Sequence, residues 1–480
     1  MEFVKRLNQP ILEVSEGNRA YTIYFDAYKS IDSSHAGAAA ALDSLYPERS
    51  NYDDALQWAA ESSQRDAIDM LLAENDLGYN APNYELFGLP YGEENVPMEL
   101  ADYEFVVYVD DAQLRFAEFA YLPRYEELIA LLNAEMHYQA HDGNTEASAE
   151  AAVAMVRMAR QLSERQFYSE KVQGLQWIRT SCTRIRELIW IYRDVFAIED
   201  LRIISDALED LDLDQLKFPQ GEVVNLEQIV WQIFRGEAEG DYFADKDKFP
   251  RIMAEFESQD QPLLRFEAAH KWKALAEEHA TRVEVLDKLT DAFNNWRLRW
   301  RLDPYDRTLD QYESEFASLH PIKYAVVTES LKLMETLFDQ RIPVYADVNG
   351  TACACGVLAF MIKEGGQLTP GEIADVGTIP DKLAQIQPAY VGDEEMLRDW
   401  YDKDEGKLRY ATVINRQETQ YVTFSYYTET PDGRVKLPEH WPILYSIGQN
   451  LKDDVAATHT LDGSEGDIIY WPVVDLMPTE

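Results

Sequence analysis

The chain has 480 residues, of which 46% are hydrophobic and 12% aromatic, so it can bury a large core and is not a disordered protein. Its 87 Asp and Glu residues outnumber its 44 Lys and Arg residues, which gives a formal net charge of −43. Such a surface repels nucleic-acid phosphates and anionic lipids. The composition therefore argues against both as partners and favours cations or basic proteins.

The three cysteines, Cys182, Cys353 and Cys355, provide no disulfide framework. Cys353 and Cys355 form a C-x-C pair, which lacks the four ligands of a structural zinc site and indicates two small buried side chains on a helix. No stretch approaches the roughly 20 apolar residues of a membrane span, and the N-terminus has no apolar signal-peptide core. We therefore expect a chain without a transmembrane segment.

Residues 1–110 are predicted to form an N-terminal helical region with a long loop. The first residues are expected to be extended, followed by a helix from about Asn18 to Tyr28. Two helices are expected within 38–78. Residues 78–103 are rich in Gly, Pro and Asn, which indicates a long loop.

Residues 111–345 are predicted to form a central helical domain, because apolar residues recur there at the spacing of one helix face. The stripes are Leu128, Leu131, Leu132 and Met136; Ala152, Val153, Val156 and Ala159; Ile178, Cys182, Ile185 and Leu188; Leu201, Ile204 and Leu208; Leu226, Ile229, Val230 and Ile233; and Leu286, Leu289, Phe293, Trp296 and Trp300. Short turns between them predict paired antiparallel helices, arranged as a bundle or a solenoid.

Residues 346–480 are predicted to form a helix followed by an antiparallel β module. The helix is expected at about 352–363, and Gly365 and Gly366 end it. The four strands are expected at 408–413, 421–427, 443–447 and 468–474. The fold class is therefore mainly α, with a small α+β module at the C-terminus.

Two sets of polar residues elsewhere in the sequence are candidate sites. His137 and His141 lie four residues apart on a predicted helix, with Glu135 nearby. The H-E-x-x-H order of a zinc protease is absent, so we favour a pair of surface or core histidines without a metal. Adjacent carboxylates could form acid/base pairs, but in a chain this acidic they are expected to be solvated surface. These are Asp53 with Asp54, Asp110 with Asp111, and Glu394 with Glu395.

The segment between the last two predicted strands concentrates oxygen donors. They are Asn450, Asp453, Asp454, Asp462, Ser464, Glu465 and Asp467. Calcium takes six to eight oxygen ligands, including backbone carbonyls, and a loop of this composition could wrap around the ion. A plain acidic hairpin loop is the alternative.

This segment resembles the C-terminal end of type II secretion major pseudopilins. The shared features are Tyr445-Ser-Ile-Gly, the acidic and Gly residues that follow, and Asp467-Ile before the last strand. In that family the loop binds calcium. The resemblance implies ligand positions at Asn450 and Asp467, completed by carbonyls near Ile447. Asn450 replaces the family's usual Asp, and 455–461 is a longer insert.

The chain as a whole resembles uncharacterised envelope proteins of planctomycete-type bacteria, which combine a membrane anchor, a helical middle and a pseudopilin-like end. The similar stretches are 18–24, 149–162, 234–237 and 365–370. The apolar N-terminal helix of pilins has no counterpart in the sequence. The resemblance implies a location in the periplasm or cell envelope.

Two functional hypotheses follow from these observations. The first is a non-enzymatic structural or interaction protein of the cell envelope, which associates with protein partners or with itself into an oligomer or filament. The second is a hydrolase or carbohydrate-active enzyme with a carboxylate site between the helical body and the C-terminal module. The sequence contains no G-x-S-x-G, P-loop or dinucleotide-binding motif, so we favour association.

Overall fold

The computed structural model describes residues 2–76, 86–234, 243–257, 262–306, 308–309, 314–365, 380, 382–404, 406–412, 427–437 and 441–479. These residues form sixteen α-helices and seven short strands, so the chain is mainly helical with a small C-terminal β module, as the sequence predicts.

The helices before the first strand are short, and the central ones are long. They are α1 (Glu2–Leu12), α2 (Tyr21–Ser30), α3 (Ala36–Ala40), α4 (Tyr52–Ala60), α5 (Ser62–Asp76), α6 (Met98–Asp102), α7 (Tyr121–His141), α8 (Thr145–Leu162), α9 (Tyr168–Ile191), α10 (Ile198–Glu209), α11 (Gly221–Ile233), α12 (Lys248–Glu257), α13 (Pro262–Leu275), α14 (Arg282–Arg301), α15 (Ala325–Ser330) and α16 (Thr336–Gly365).

The strands form three antiparallel sheets. They are β1 (Val107–Val109), β2 (Ala117–Phe119), β3 (Arg409–Thr412), β4 (Tyr427–Thr430), β5 (Gly433–Lys436), β6 (Pro442–Ser446) and β7 (Ile468–Trp471). β1 pairs with β2, β4 with β5, and the third sheet has the order β3-β6-β7. Tyr410 faces Leu444 in the register of β3 and β6, and Ser446 faces Ile468 in the register of β6 and β7.

Neighbouring helices in the chain pack in pairs because their apolar stripes face each other across short turns. α7 packs on α8, α8 on α9, and α12 on α13. The start of α14 shows how such a helix begins: the Thr281 amide donates to the Glu284 carboxylate at 3.0 Å, and the Glu284 amide donates to the Thr281 hydroxyl oxygen at 3.5 Å. This is the reciprocal capping arrangement that satisfies orphan amides at a helix start.

The helix α16 is the central element of the core and joins the helical body to the β module. It packs against α9 and α10 on one side and against β6 and β7 on the other. At Gly350 a Cβ atom would come within 2.4 Å of the Tyr470 ring, so the helix can approach β7 this closely only without a side chain there. The helix α16 is continuous through residues 345 and 346, the predicted boundary between the central and C-terminal domains.

The C-terminal sheet is buried on both faces. Leu444 lies in the main core, whereas Ile443 and Tyr445 lie in a second, smaller cluster that includes Ala456. Successive residues of a strand point to opposite faces, which explains why every residue of β6 is buried. Next to this sheet, Trp190 of α9 meets Trp441 and Trp471 edge-on, each with ring centroids 5.2 Å apart.

Within the described ranges, α16 is the one helix with the length and apolar content of a membrane span. Its candidate span is Thr336–Glu364, and the apolar 18-residue window within that span is 89% buried inside the protein. Burial of this kind is expected of the core helix of a folded protein, and no clear transmembrane segment emerges from the described part of the chain.

Three expectations about individual elements were wrong. The N-terminal residues form the helix α1, not an extended lead-in, because Val4, Leu7 and Ile11 bury one face of it despite Pro10. β1 and β2 form a hairpin at residues 107–119, although all the predicted strands lie after residue 400. The helix expected from about 352 begins at Thr336. The strand expected at 421–427 falls almost wholly outside the described residues, which resume at Tyr427.

Candidate functional site: the C-terminal acidic loop

The acidic loop, residues 447–467, connects β6 to β7. Two of its glycines bring distant parts of the loop backbone into contact. Gly448 and Gly463 both have positive φ, at 65° and 68°. A Cβ at Gly463 would come within 2.7 Å of the Gly448 Cα, so the two backbone segments touch at a point where a larger residue would not fit. Beside this contact, the Asn450 amide donates to the Gly463 carbonyl at 3.1 Å.

Asp467 is the buried carboxylate of the loop. It sits immediately before β7 and its side chain is inaccessible to solvent. Its Oδ2 accepts a hydrogen bond from the Ala456 amide at 2.7 Å, while its Oδ1 has no donor. The backbone at Val455 and Ala456 takes positive φ values of 61° and 58°, and this turn points the Ala456 amide towards Asp467.

A second carboxylate lies against Asp467. The pKa of Asp467 is raised to about 8, mainly by burial, then by the facing carboxylate of Asp454, with a smaller contribution from Asp453. Two ionised carboxylates in contact repel each other, so this geometry requires a proton or a cation between them. A shared proton supplies the donor that the unpartnered Oδ1 lacks, and a cation would supply the same charge.

The other predicted ligands are engaged within the loop. Asp453 Oδ1 accepts from the Val455 amide at 3.0 Å and the Tyr445 hydroxyl at 3.2 Å. Asp462 Oδ1 accepts from the amide and hydroxyl of Ser464, at 3.0 and 2.7 Å. Asn450 Oδ1 accepts from the Lys452 amide at 2.9 Å. Each of these oxygens therefore shapes a local turn.

The structure thus brings Asp454 and Asp467 together, whereas sequence reasoning ranked Asn450 and Asp467 first. Asp454 Oδ1 also accepts from the amides of Ala457 and Thr458, at 3.1 and 3.4 Å, which fixes the carboxylate in place. Among the described residues no three His, Cys, Asp or Glu side chains converge as metal ligands. A calcium ion at this loop would therefore draw most of its oxygens from backbone carbonyls and water, which calcium accepts.

His459 lies within the loop and was not singled out from the sequence. It is buried, and its Nδ1 lies 3.1 Å from the Ile469 amide nitrogen and 3.2 Å from the Asp467 carbonyl. Its Nε2 lies 3.4 Å from Asp475. The ring ties the loop to the chain after β7, so it has a structural place beside the carboxylate pair.

The two histidines of α7 do not form a site. His137 is fully buried between the rings of Tyr52 and Tyr192, and burial lowers its pKa to about 3. His141 is exposed and contacts Asp142 at 3.3 Å. Glu135 is buried and pairs with Arg65 at 2.6 Å.

The other candidate residues lie in the core or on the solvent-exposed surface, as the sequence predicts. Cys182, Cys353 and Cys355 are fully buried, and burial raises the pKa of each thiol. The three adjacent carboxylate pairs are all on the exposed surface. Glu394 pairs with Lys407 at 2.6 Å and Glu395 with Arg398 at 2.9 Å, so this pair also makes ordinary surface ion pairs.

Two buried carboxylates, Asp347 and Asp399, lie at the junction between the helical body and the C-terminal module. Asp347 of α16 pairs with Arg179 at 2.8 Å and with Arg186 at 3.3 Å. Asp399 accepts hydrogen bonds from the Ser446 hydroxyl at 2.6 Å and the Ile447 amide at 3.1 Å. Burial raises the pKa of Asp399, and these hydrogen bonds oppose the rise.

Comparison with known proteins identifies no relative: no family model, curated protein or solved structure matches the chain. The resemblance to pseudopilins rests on the residues quoted for it above.

Proposed function

We propose that this chain is a non-enzymatic structural or interaction protein of the cell envelope that works by association, assembling with itself into an oligomer or filament. The observation that carries the proposal is the exposure of large apolar side chains on separate helices. Met98 is 79% exposed, Phe266 is 77% exposed and Trp231 is 54% exposed. Such groups would anchor a contact with another protein where they belong to a contiguous apolar patch.

The net charge sets a condition on assembly. With −43 per chain, like subunits repel each other over distances comparable to the screening length, which is about 10 Å at 0.1 M salt. Association should therefore strengthen as ionic strength rises from low values, or as a divalent cation neutralises part of the surface.

Calcium at the acidic loop is part of the same proposal. The contact between Asp454 and Asp467 supports it, because a cation would replace the proton that the pair otherwise requires. Calcium would then stabilise the end of the β module without taking part in a reaction.

A hydrolase remains the second candidate because Asp347 and Asp399 lie at the predicted junction. Both are held by protein groups, Asp347 by two arginines and Asp399 by a hydroxyl and backbone amides. This engagement favours a structural role over proton transfer. The Asp399→Asn variant separates the two: an enzyme would lose turnover, whereas a scaffold would change only in stability.

Sedimentation velocity across a salt and calcium series tests the proposal. We expect the weight-average mass to rise between about 10 and 150 mM salt, the range over which the screening length falls from about 30 to 8 Å. A strict monomer at every salt and calcium concentration, together with no partner recovered from the native envelope, would place the enzyme hypothesis ahead.

A further inference from the structure

The surface around α6 combines exposed apolar side chains with a concentration of negative charge. Residues 93–104 contain five acidic residues and no Lys or Arg. Between these acids, Met98 is 79% exposed and Tyr103 is 45% exposed. We call residues 93–104 the acidic face.

The carboxylates of the acidic face lie close to one another. Burial raises the pKa of the Tyr108 hydroxyl. The negative charges of nearby carboxylates also raise this pKa, and they belong to Glu104, Glu93, Glu118 and Asp102. Lys29 pairs with Glu99 at 3.0 Å, and Arg124 pairs with Glu104. Two cations therefore offset part of a larger cluster, and the face keeps a negative excess.

The helices α13 and α14 present the opposite character. Residues 262–301 contain eight Lys and Arg and six Asp and Glu, a net charge of about +2 in a chain whose total is −43. We call the exposed surface of α13, residues 264–275, the cationic face. It carries Leu264 at 50% exposure and Phe266 at 77%, and it includes exposed His270 and Lys273.

The cationic face is oriented outward by the way α13 packs. Only Ala268 and Trp272 are buried along its described length, and the Trp272 ring meets the Phe249 ring of α12 edge-on, with centroids 6.0 Å apart. Phe266, His270 and Lys273 follow the i, i+4, i+7 spacing and so share one side of the helix. An aromatic ring, an imidazole and the Lys273 ammonium group therefore project together.

We propose that the cationic face of one copy docks on the acidic face of a second copy. Each face pairs large exposed apolar groups with charge, and the charges are opposite, so the contact would bury Phe266 and Met98 while its rim is electrostatically complementary. A second copy fits because the chain itself carries the complementary surface, an acidic face with Met98 79% exposed among its carboxylates.

The two faces are different surfaces, which determines the kind of assembly. A contact between unlike faces leaves one of each free on the dimer, so addition continues into a ring or a filament. This inference rests on the proposed self-association and gives it a surface and a direction.

The salt response should be biphasic. Low salt opposes association through the overall repulsion, and screening relieves it. Salt well above physiological strength also screens the attraction between the two faces, so association should weaken again towards 1 M, where the screening length is about 3 Å. Screening of net repulsion alone would give no such decline.

Charge reversal on each face tests the contact in the full-length chain. One variant is Glu93→Lys with Glu94→Lys, and the other is His270→Glu with Lys273→Glu. At 0.15 M salt each alone should weaken association at least about tenfold, because like charges then meet at the contact. An equimolar mixture of the two should recover association, since each variant supplies the face that the other can bind.

The matched control is Asp66→Lys with Asp69→Lys on α5, where both side chains are exposed and lie away from either face in sequence. It changes the net charge as much as the acidic-face variant does and should not weaken association. Phe266→Ser provides an uncharged test of the same contact, and it should also weaken association. Circular dichroism and thermal melts confirm that each variant is folded.

The outcomes distinguish the contact between the two faces from self-association as such. If the wild-type chain associates and folded face variants associate equally well, the two faces are not the contact, although self-association stands. If the mixture of opposite variants fails to recover association, the pairing of these two faces is wrong. A wild-type chain that stays monomeric in every condition overturns both.

Discussion

Two buried carboxylates in this molecule have opposite surroundings. Glu170, at the start of α9, is completely buried, and so is Asp467, before β7. The first lies against a buried guanidinium, whereas the second lies against another carboxylate. Because burying a charge is costly unless it is compensated, the comparison shows where the fold supplies its own counter-charge and where it requires a proton or a cation.

Glu170 has a full set of partners. It accepts from Arg165 at 2.8 Å and from the hydroxyls of Tyr121 and Tyr91 at 2.6 and 2.8 Å. Its second oxygen also accepts from the Phe167 amide at 3.3 Å, which caps the helix. Arg165 in turn donates to the Leu89 carbonyl at 2.6 Å, so this buried network joins α9 to the segment before α6.

Asp467 has one amide donor and an acidic neighbour. Nothing in the described part of the chain neutralises it, because its other oxygen has no donor and Asp454 carries the same charge. The comparison teaches that burial alone does not mark a functional carboxylate. The absence of a compensating partner within the fold is the more informative property.

The largest expected effect comes from breaking the self-sufficient pair. Glu170→Gln keeps the shape but leaves Arg165 buried without a counter-charge, so we expect the free energy of unfolding to fall by about 3–5 kcal/mol in urea titrations. Glu394→Gln is the control, because Glu394 and Lys407 are both well exposed, and its midpoint should not move. A loss below about 1 kcal/mol for Glu170→Gln would show that the pair does not hold the fold.

Calcium should have the next largest effect, and only at the other carboxylate. A ligand that binds only the folded state adds about 2.7 kcal/mol at a hundredfold excess over its Kd. Thermal melts at pH 8 should therefore rise in millimolar calcium relative to EGTA, and the rise should disappear in Asp467→Asn. Equal melting temperatures in wild-type protein with and without calcium would remove calcium from the account.

The pH dependence of stability should differ between wild type and Asp467→Asn. The folded pKa of about 8 lies above the unfolded value near 3.9, so the folded state holds a proton that the unfolded chain has released. Without calcium, wild-type stability should fall as pH rises from about 4 to 8. Asp467→Asn should flatten this decline and gain on the order of 1–3 kcal/mol at pH 8. A parallel decline in both proteins would assign it to other groups.

The smallest effect is expected at Asp462, which is in the same loop but bonded to Ser464. Asn at this position still accepts those hydrogen bonds, so Asp462→Asn should change stability by less than about 0.5 kcal/mol, as surface substitutions usually do. A calcium response lost in Asp462→Asn as completely as in Asp467→Asn would mean that the loop binds the ion through all its carboxylates.

The sequence predicts the long helices well, because each carries a continuous apolar stripe. Leu226, Ile229, Val230 and Ile233 are all buried along α11, as their spacing requires. The strands β6 and β7 are also where β-branched and aromatic residues predict them. In both cases a local pattern is sufficient to predict the element, since residues close in sequence form its buried face.

The elements that sequence reasoning misplaced depend on distant contacts. α1 contains Pro10, which argues against a helix, yet burial of Val4 and Leu7 against the core outweighs this local preference. β1 and β2 have three residues each, which is too short for a period to be recognised.

The candidate site was predicted as a segment but not as a pair. The clustering of acidic residues between β6 and β7 is visible in the sequence, and it identified Asp467. The meeting of Asp467 with Asp454 depends on the left-handed turn at Val455 and Ala456, which neither residue type favours. A turn that its own residues disfavour cannot be predicted from composition, so the sequence does not show that Asp454 faces Asp467.

Hydrogen exchange measured by mass spectrometry, with and without calcium at pH 8, tests most directly whether the fold leaves one buried carboxylate for an ion. Peptides covering 447–467 should exchange more slowly in calcium, because the Ala456 amide and its neighbours open only when the carboxylate pair separates. Peptides covering 165–175 should be unaffected, since Glu170 is already compensated. Unchanged exchange in 447–467, in wild-type protein that is folded in both conditions, would contradict the account.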